Sequence, residues 1–425
     1  MTGTRPCSEE NGAVSNASSE TYANLDGPWG FAMPSGTLEQ ANYMQQYSQL
    51  YFCRLAEMRN FYSTYTDITR VAISQLNPVQ TQWVVGIIFK QMPLKPSILK
   101  SYADDIMLTV PELRLLNYIS GDDRVYIEDE TGRIECVFHP EDRKHDVVTG
   151  MVIALQGLVG ADGLFRVNEI RLPMHPAPIP LPCSGQSAKQ YICFLSGVDV
   201  RTPAAQLFLD YVTGCLGADT VQLGACMRVI VAGNLRGERS LLDLFLKTLA
   251  EHVPVDLMPG EEDPVHAAFP QQPWHRLLLP QSASQDDAQN RLVRCSNPHA
   301  FQINGCLFLG TSGQNVKNFC RFSRVRNELE ALQRLLECGH LAPTCPDTMA
   351  CVPRGDHDPL VIREVPHVLF TGNADTFRYQ QRVFGAARNA GTAAPVTLLT
   401  VPRFDATGTA VLLALPELTP TTLQF

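Results

Sequence analysis

The stretch "VPVDLMPGEEDP", Val253 to Pro264, decides the fold. Val253, Val255, Leu257 and Met258 make an apolar run too short for a helix, and Pro259-Gly260 stops it. Three carboxylates follow, Glu261, Glu262 and Asp263, before Pro264 closes the segment. A buried strand ending on a tight turn with polar residues is how an α/β sheet presents a site at the carboxyl ends of its strands. Other apolar runs end the same way: "SGVD" (196–199), "AGN" (232–234), "GTSGQN" (310–315) and "TGNAD" (371–375).

Working outward, residues 191–425 alternate between strand and helix patterns. "YICFLSGVDV", "MRVIVAGNL" and "VPVDLMPG" read as buried strands, with "PAAQLFLDYVTGCLG" and "SLLDLFLKTLAEHV" as the helices between them, the second capped by Ser240. "FQINGCLFLGTSG" gives two short strands hinged on Asn304-Gly305, followed by a helix at about 325–338 that ends at Gly339. "VPHVLFTGN" is another strand, and "PVTLLTVPRFDATGTAVLLAL" is expected to form a terminal hairpin. Central sheets with flanking helices, a β-sandwich of α/β type, fit this order.

Ahead of this unit, "MHPAPIPLPCSGQSAKQ" is Pro- and Ser-rich, so residues 174–190 are expected to be a linker. Residues 81–173 change period. "TQWVVGIIFKQM" is a buried strand, and "DRVYIEDETGRIECVFH" is a hairpin turning at Glu130-Thr131-Gly132. "GMVIALQGLVGADGLFRVNEI" gives two more strands, with Gly157 marking a bulge. Short glycine-bent strands fit a small OB-type barrel. Residues 37–80 form a helical segment: "TLEQ" at 37–40 is a capping box, and Met44, Tyr47, Tyr51, Leu55 and Met58 recur at helical spacing. Residues 1–36 lack periodicity and are expected to be a disordered tail in which Trp29 and Phe31 dock locally.

The chain has 425 residues and a net charge of -9, which argues against gripping nucleic acid as its main task. The barrel segment 81–172 carries four Lys and six Arg against fourteen Asp and Glu, a balance of 10 - 14 = -4. Its aromatics Trp83, Phe89, Tyr126 and Phe138 lie in apolar runs and are expected in the core. Thirteen Cys without a Cys-x-x-Cys pair read as reduced, buried small hydrophobes of an intracellular protein. The N-terminus shows no apolar signal-peptide region, and no run approaches a membrane span.

The five strand-end clusters resemble the calcineurin-like metallophosphoesterase pattern of Asp-x-His, Gly-Asp, Gly-Asn-His-Asp, a lone His and Gly-His-x-His. That resemblance implies two metals and a metal-bound hydroxide. Placed on the pattern, the first Asp is Gly197 and its His is Asp199; the bridging Asp is Asn234. Glu261 and Glu262 stand for the Asn and His of the third motif, whose Asp is kept as Asp263. The lone His falls at or near Ser312, and the last His pair becomes Asn373 and Asp375. No imidazole survives, and Asn234 supplies no bridging anion between two cations. Asp199, Glu261 and Asp375 would hold one Mg²⁺ weakly at most, so the expectation is no catalytic residue, metal or cofactor.

An inactivated metallophosphoesterase domain behind an acidic OB barrel resembles the B-family, small regulatory subunits of replicative DNA polymerases. "VPVDLMPGEEDP", "FPQQPWH", "SNPHAFQINGCLFLGTSGQNV", "LAPTCPDTMACVP" and "DPLVIREVPHVLFTGN" are similar to the delta branch of that family, as are "QYSQLYFCRLAEMR", "GIIFKQMPLKPSIL" and "VYIEDETGRIE" in the barrel half. The resemblance covers roughly 38 to 416. It implies a nuclear scaffold without enzymatic activity in replication and repair. Such a scaffold holds the C-terminal cysteine-rich module of the catalytic subunit and a third subunit that reaches the sliding clamp. Two other readings stay open: a divergent carboxylate-only phosphoesterase or nuclease, and a single-strand binder working through the barrel.

Overall fold

In the computed structural model, which describes residues 21–33, 46–96, 115–175, 180–181, 190–216, 225–282, 291–384 and 395–425, the chain opens with a strand. β1 (Tyr22–Asn24) adds antiparallel to a strand near residue 300, and Phe31 is fully buried. The tail expected over 1–36 is therefore ordered at 21–33. Its few apolar residues suffice because the pairing edge and the Phe31 pocket come from the distant domain. The capping box at 37–40 lies outside the described residues. The helix itself, α1 (Tyr47–Arg59), buries Leu50, Leu55 and Met58 along one stripe. That stripe finds its partner within the chain, against the barrel and the loops near 345–361.

The barrel strands are β2 (Gln82–Gln91), β3 (Arg124–Asp129), β4 (Gly132–Phe138), β5 (Val152–Val159) and β6 (Phe165–Arg171), closed in the order β2-β3-β4-β6-β5. The register between β5 and β6 slips at Gln156/Gly157. A Cβ on Gly157 would lie 2.2 Å from the Arg166 carbonyl oxygen, so only glycine lets the bulge close. Trp83 and Phe138 are core residues, but Phe89 and Tyr126 are not: they sit half-buried on the outer face, with the Arg133 guanidinium 5.3 and 5.1 Å from their rings. Trp83 and Phe89 share one face of β2, the one that does not carry Val84 and Ile88, and Trp83 is buried because α1 covers it, a cover that an apolar run does not reveal.

The second domain stacks two six-stranded sheets. One is built on β7 (Gln190–Leu195), β8 (Cys226–Ala232) and β9 (Val255–Met258), all parallel. Helices α2 (Pro203–Val212) and α3 (Arg239–His252) cover its outer face. Thr202 caps α2 by accepting from the Ala205 amide. Ser240 does not cap α3: the cap position is Glu238, with no side-chain bond. β10 (Leu292–Arg294) extends this sheet beside β9.

The opposite sheet holds β11 (His299–Ile303) and β12 (Cys306–Thr311), a hairpin turning on Asn304 and Gly305 at φ +49° and +81°. Helices α4 (Gln314–Phe322) and α5 (Glu328–Glu337) follow, then β13 (Val368–Ala374), β14 (Arg378–Arg382) and β15 (Val396–Pro402). The order is β1-β11-β12-β13-β15-β14. The expected hairpin of 395–415 does not form. One helical turn, α6 (Phe404–Thr407), ends at Gly408 with φ +61° and carries the chain across the sandwich. β16 (Thr409–Leu415) then lies between β7 and β17 (Thr419–Gln424) in the other sheet. Both segments are buried along nearly their whole length. Each needs neighbours on both edges, and separate sheets supply them where a hairpin would not.

Candidate functional site

The carboxyl ends of β7, β8, β9, β12 and β13 meet where the two sheets come closest. A Cβ on Gly372 would lie 2.8 Å from Ala232 in the facing sheet. Asn373, at φ +54°, joins three strand ends: its amide donates to Ser196 Oγ at 2.8 Å, and its side-chain nitrogen donates to the carbonyls of Ala232 (3.0 Å) and Ser312 (2.8 Å). Gly197 sits beside it at φ +60°, and a Cβ there would fall 2.9 Å from Asn373 Oδ1.

Asp263 joins the ends of β8 and β9. Its carboxylate accepts from the amides of Asn234 (2.9 Å), Leu235 (2.8 Å) and Gly260 (2.7 Å). Burial raises its pKa to about 6, and the three amide donors oppose that rise. Asn234, at φ +59°, takes the Glu262 amide on Oδ1 at 3.0 Å. A Cβ on Gly260 would collide with this Asn at 2.2 Å, so the Pro-Gly turn allows the two loops to touch.

Three carboxylates at this edge, Asp199, Glu262 and Asp405, are paired with guanidinium groups. Arg201 binds Asp199 through two nitrogens at 2.9 and 2.7 Å and holds its carboxyl below the usual range. Arg236 bridges Glu262 at 2.6 Å and Asp405 at 3.0 Å. Arg403 binds Asp405 at 3.0 and 2.7 Å and approaches Glu262 at 3.5 Å. Three carboxylates therefore face three fixed positive charges. Glu261 and Asp375 are exposed. The edge thus collects Gly197, Asn234, Glu262, Asp263, Ser312 and Asn373, with Asp199 turned to Arg201 and with Glu261 and Asp375 facing outward.

Among the described residues, the grouping of three His, Cys, Asp or Glu ligand atoms within 4.8 Å is Asp26, Cys295 and His299, not Asp199, Glu261 and Asp375. That buried group is already hydrogen-bonded. Asp26 accepts from His299 Nδ1 (2.8 Å), the Ala300 amide (2.8 Å) and the Ser296 amide (3.0 Å). The other ring nitrogen of His299 lies 3.2 Å from Asp256, which also accepts from Arg228 at 2.6 Å. This is an ion network that pins the N-terminal segment to the sandwich.

Arg236 and Arg403 escaped the reading of motifs because they reach Glu262 from loops 26 and 141 residues away; Arg201 and Asp405 escaped it although the Arg201–Asp199 and Arg403–Asp405 pairs are only two residues apart. The segments "PQQP", "SNP" and "GTSGQN" gain a physical role. Gln271 accepts from Asn297 at 2.7 Å and from Gln314 at 2.9 Å, and donates to the Gly260 carbonyl at 3.1 Å. Asn297 also reaches Ser312 Oγ at 2.6 Å. Gln272 holds the N-terminal segment, donating to the Phe31 carbonyl at 3.0 Å and accepting from the Met33 amide at 2.8 Å.

A family model described as the DNA polymerase delta subunit OB-fold domain matches residues 46–170, and one describing the B-type subunit of DNA polymerase alpha/epsilon matches 193–379. The two matched segments are the closed barrel and the greater part of the two-sheet sandwich. The DNA polymerase delta small subunit of Oryza sativa subsp. japonica is 34% identical over 95% of this chain and 97% of its own length. That of Arabidopsis thaliana is 34% identical over 90% and 91%. DNA polymerase delta subunit 2 of Drosophila melanogaster is 32% identical over 80% and 85%. The chain belongs to the DNA polymerase delta small-subunit family.

Proposed function

We propose that this chain is a non-catalytic scaffold of a nuclear DNA polymerase delta assembly in replication and repair. It would bridge the cysteine-rich C-terminal module of the catalytic subunit and a third subunit that reaches the sliding clamp. On this reading Gly197, Asp199, Asn234, Glu261, Glu262, Asp263, Ser312, Asn373 and Asp375 are the remains of a dinuclear metal site. The observation that carries it is the arginine set. Arg201 holds Asp199, and Arg236 and Arg403 hold Glu262, so two of the pattern's carboxylates are spent on fixed cations that also repel an incoming metal, while Glu261 and Asp375 face outward.

Two measurements test the reading. The purified chain with Mn²⁺ or Mg²⁺ is expected to hydrolyse neither a phosphodiester nor single-stranded DNA. Expressed with the catalytic chain, it is expected to co-purify as a stable complex that is lost when the cysteine-rich module is removed. Metal-dependent turnover abolished by Asp199→Ala and Asp375→Ala would instead establish the divergent phosphoesterase.

A further inference from the structure

An open cleft of about 450 Å³ separates the N-terminal segment from the loop at 354–363. Pro28, Trp29 and Gly30 form one wall; Arg354, His357 and Arg363 form the other. The two arginines are not equivalent. Arg363 is neutralised by Glu57, at 2.5 and 3.0 Å, and donates to the Asp358 carbonyl at 3.0 Å. Arg354 lies within 4.0 Å of no carboxylate among the described residues; its Nη1 donates to His357 Nε2 at 3.1 Å. His357 is held in turn, with Nδ1 2.7 Å from Asp356. The Asp356–His357–Arg354 chain fixes a guanidinium at the cleft with most of its donors unused. Burial lowers the Arg354 pKa against the opposing charges of Asp356 and Asp358, neither of which forms an ion pair with its guanidinium within 4.0 Å.

We propose that this cleft receives a carboxylate carried on a partner polypeptide, with an adjacent apolar side chain lying against Trp29 and Pro28. One unmatched guanidinium balances one carboxylate and offers it a planar, two-bond fork. A phosphate dianion calls for a second free cation, and Arg363 is already spent on Glu57. On a chain of net charge -9, a local site of this sign is selective for acidic groups at short range, where screening is weakest. The indole and proline wall gives the ligand apolar contact area beside its charge.

The proposal rests on the scaffold reading for the source of the ligand. Co-purification tests that reading and peptide binding tests the cleft, so their failures are separable. The experiment titrates the full chain with acetyl-Leu-Phe-Glu-amide, acetyl-Leu-Phe-Gln-amide or inorganic phosphate, following tryptophan emission. Trp83 and Trp274 are 5% and 2% exposed, so the signal reports mainly on Trp29. The acidic peptide is expected to give a saturable change. About tenfold weaker binding is expected for the amide peptide and for Arg354→Gln, with thermal stability unchanged. Arg354→Lys should fall between. No saturable change, equal affinity for both peptides, or stronger binding of phosphate than of the acidic peptide would overturn the proposal.

Discussion

Arg54 Nε lies 2.7 Å from Asp358 Oδ2, and neither side chain has any exposed surface. The same guanidinium donates to the carbonyls of Gly150 in the barrel domain (3.1 Å) and of Pro343 (2.8 Å) and Cys345 (2.9 Å) in the sandwich domain. One side chain on α1 therefore fastens both domains together. The approach is tight: a Cβ on Gly150 would lie 1.9 Å from the Pro343 oxygen.

Removing that partner takes the counter-charge from a buried carboxylate, leaving it His340 and the Leu360 amide, and takes a donor from three carbonyls. Arg54→Met is expected to cost about 3–5 kcal/mol in urea unfolding. Arg54→Lys should recover only part, because an ammonium does not match this fork of acceptors. A loss below about 1 kcal/mol for Arg54→Met would show that the clamp is not needed.

His340 gives the joint an acid sensitivity. Its Nε2 lies 3.0 Å from Asp358, its Nδ1 accepts from the Ala342 amide at 3.1 Å, and burial pushes its pKa down to about 4. The unfolded chain, with an ordinary His near 6.5, takes up the proton first. Stability from this group is complete above about 6.5 and is lost as pH falls toward about 4. Unfolding midpoints across that window should drop for the native chain, and the drop should be shallower in His340→Gln.

His299 has the opposite sign. Burial alone would lower its pKa, but Asp26 and Asp256 outweigh burial and raise it well above the usual value. Its stabilisation is therefore full below about 6.5 and is lost as pH rises through the elevated folded pKa. Hydrogen exchange should show residues 21–33 protected at pH 7 in the native chain. His299→Gln should speed exchange there by at least about tenfold, since about 1.4 kcal/mol corresponds to tenfold in opening. Unchanged exchange would mean that β1 is held by its strand pairing alone.

Restoring the missing carboxylate should not restore a metal site. Gly197 has φ +60°, and Arg403 carbons lie 3.2 and 3.3 Å from where its Cβ would be. Gly197→Asp is expected to cost about 1–3 kcal/mol in backbone strain, with the same loss of Tm in Mn²⁺ as in chelator. A metal-dependent rise in Tm would argue that the guanidiniums yield to a cation.

Gln271→Ala tests the amide network beneath the strand ends. It takes the acceptor from the Gln314 side-chain amide and the donor from the Gly260 carbonyl, while Asn297 keeps Ser312 and Gln314, at a cost of about 1–3 kcal/mol. Denaturant unfolding reads the loss, and assembly with the catalytic subunit should survive it at low temperature. A neutral result would mean that water replaces the glutamine.

The strand ends were legible because local rules write them. Apolar runs of four to eight residues must be buried, and Pro-Gly or Ser-Gly must stop them, so "VPVDLMPGEEDP" announced its strand and turn. The barrel hairpin at Glu130-Thr131 and the bulge at Gly157 followed in the same way. The fate of β15 and β16 was not legible. Two apolar strands joined by a short link read as a hairpin until the opposite sheet is present to take one of them. The burial of residues 21–33 was hidden for the same reason, since its partners Ala300, Ser296 and Gln272 lie more than 230 residues away.

By itself the sequence determined the five barrel strands, the strands β7, β8, β9, β11, β12 and β13, and the absence of imidazoles from the strand-end clusters, because propensity, periodicity and side-chain chemistry are local properties. Only the tertiary structure decided that Arg236 and Arg403 would meet at Glu262, and that Arg54 would lock the barrel to the sandwich. Ion pairing depends on distance in space, which chain order does not encode until the sheets have stacked.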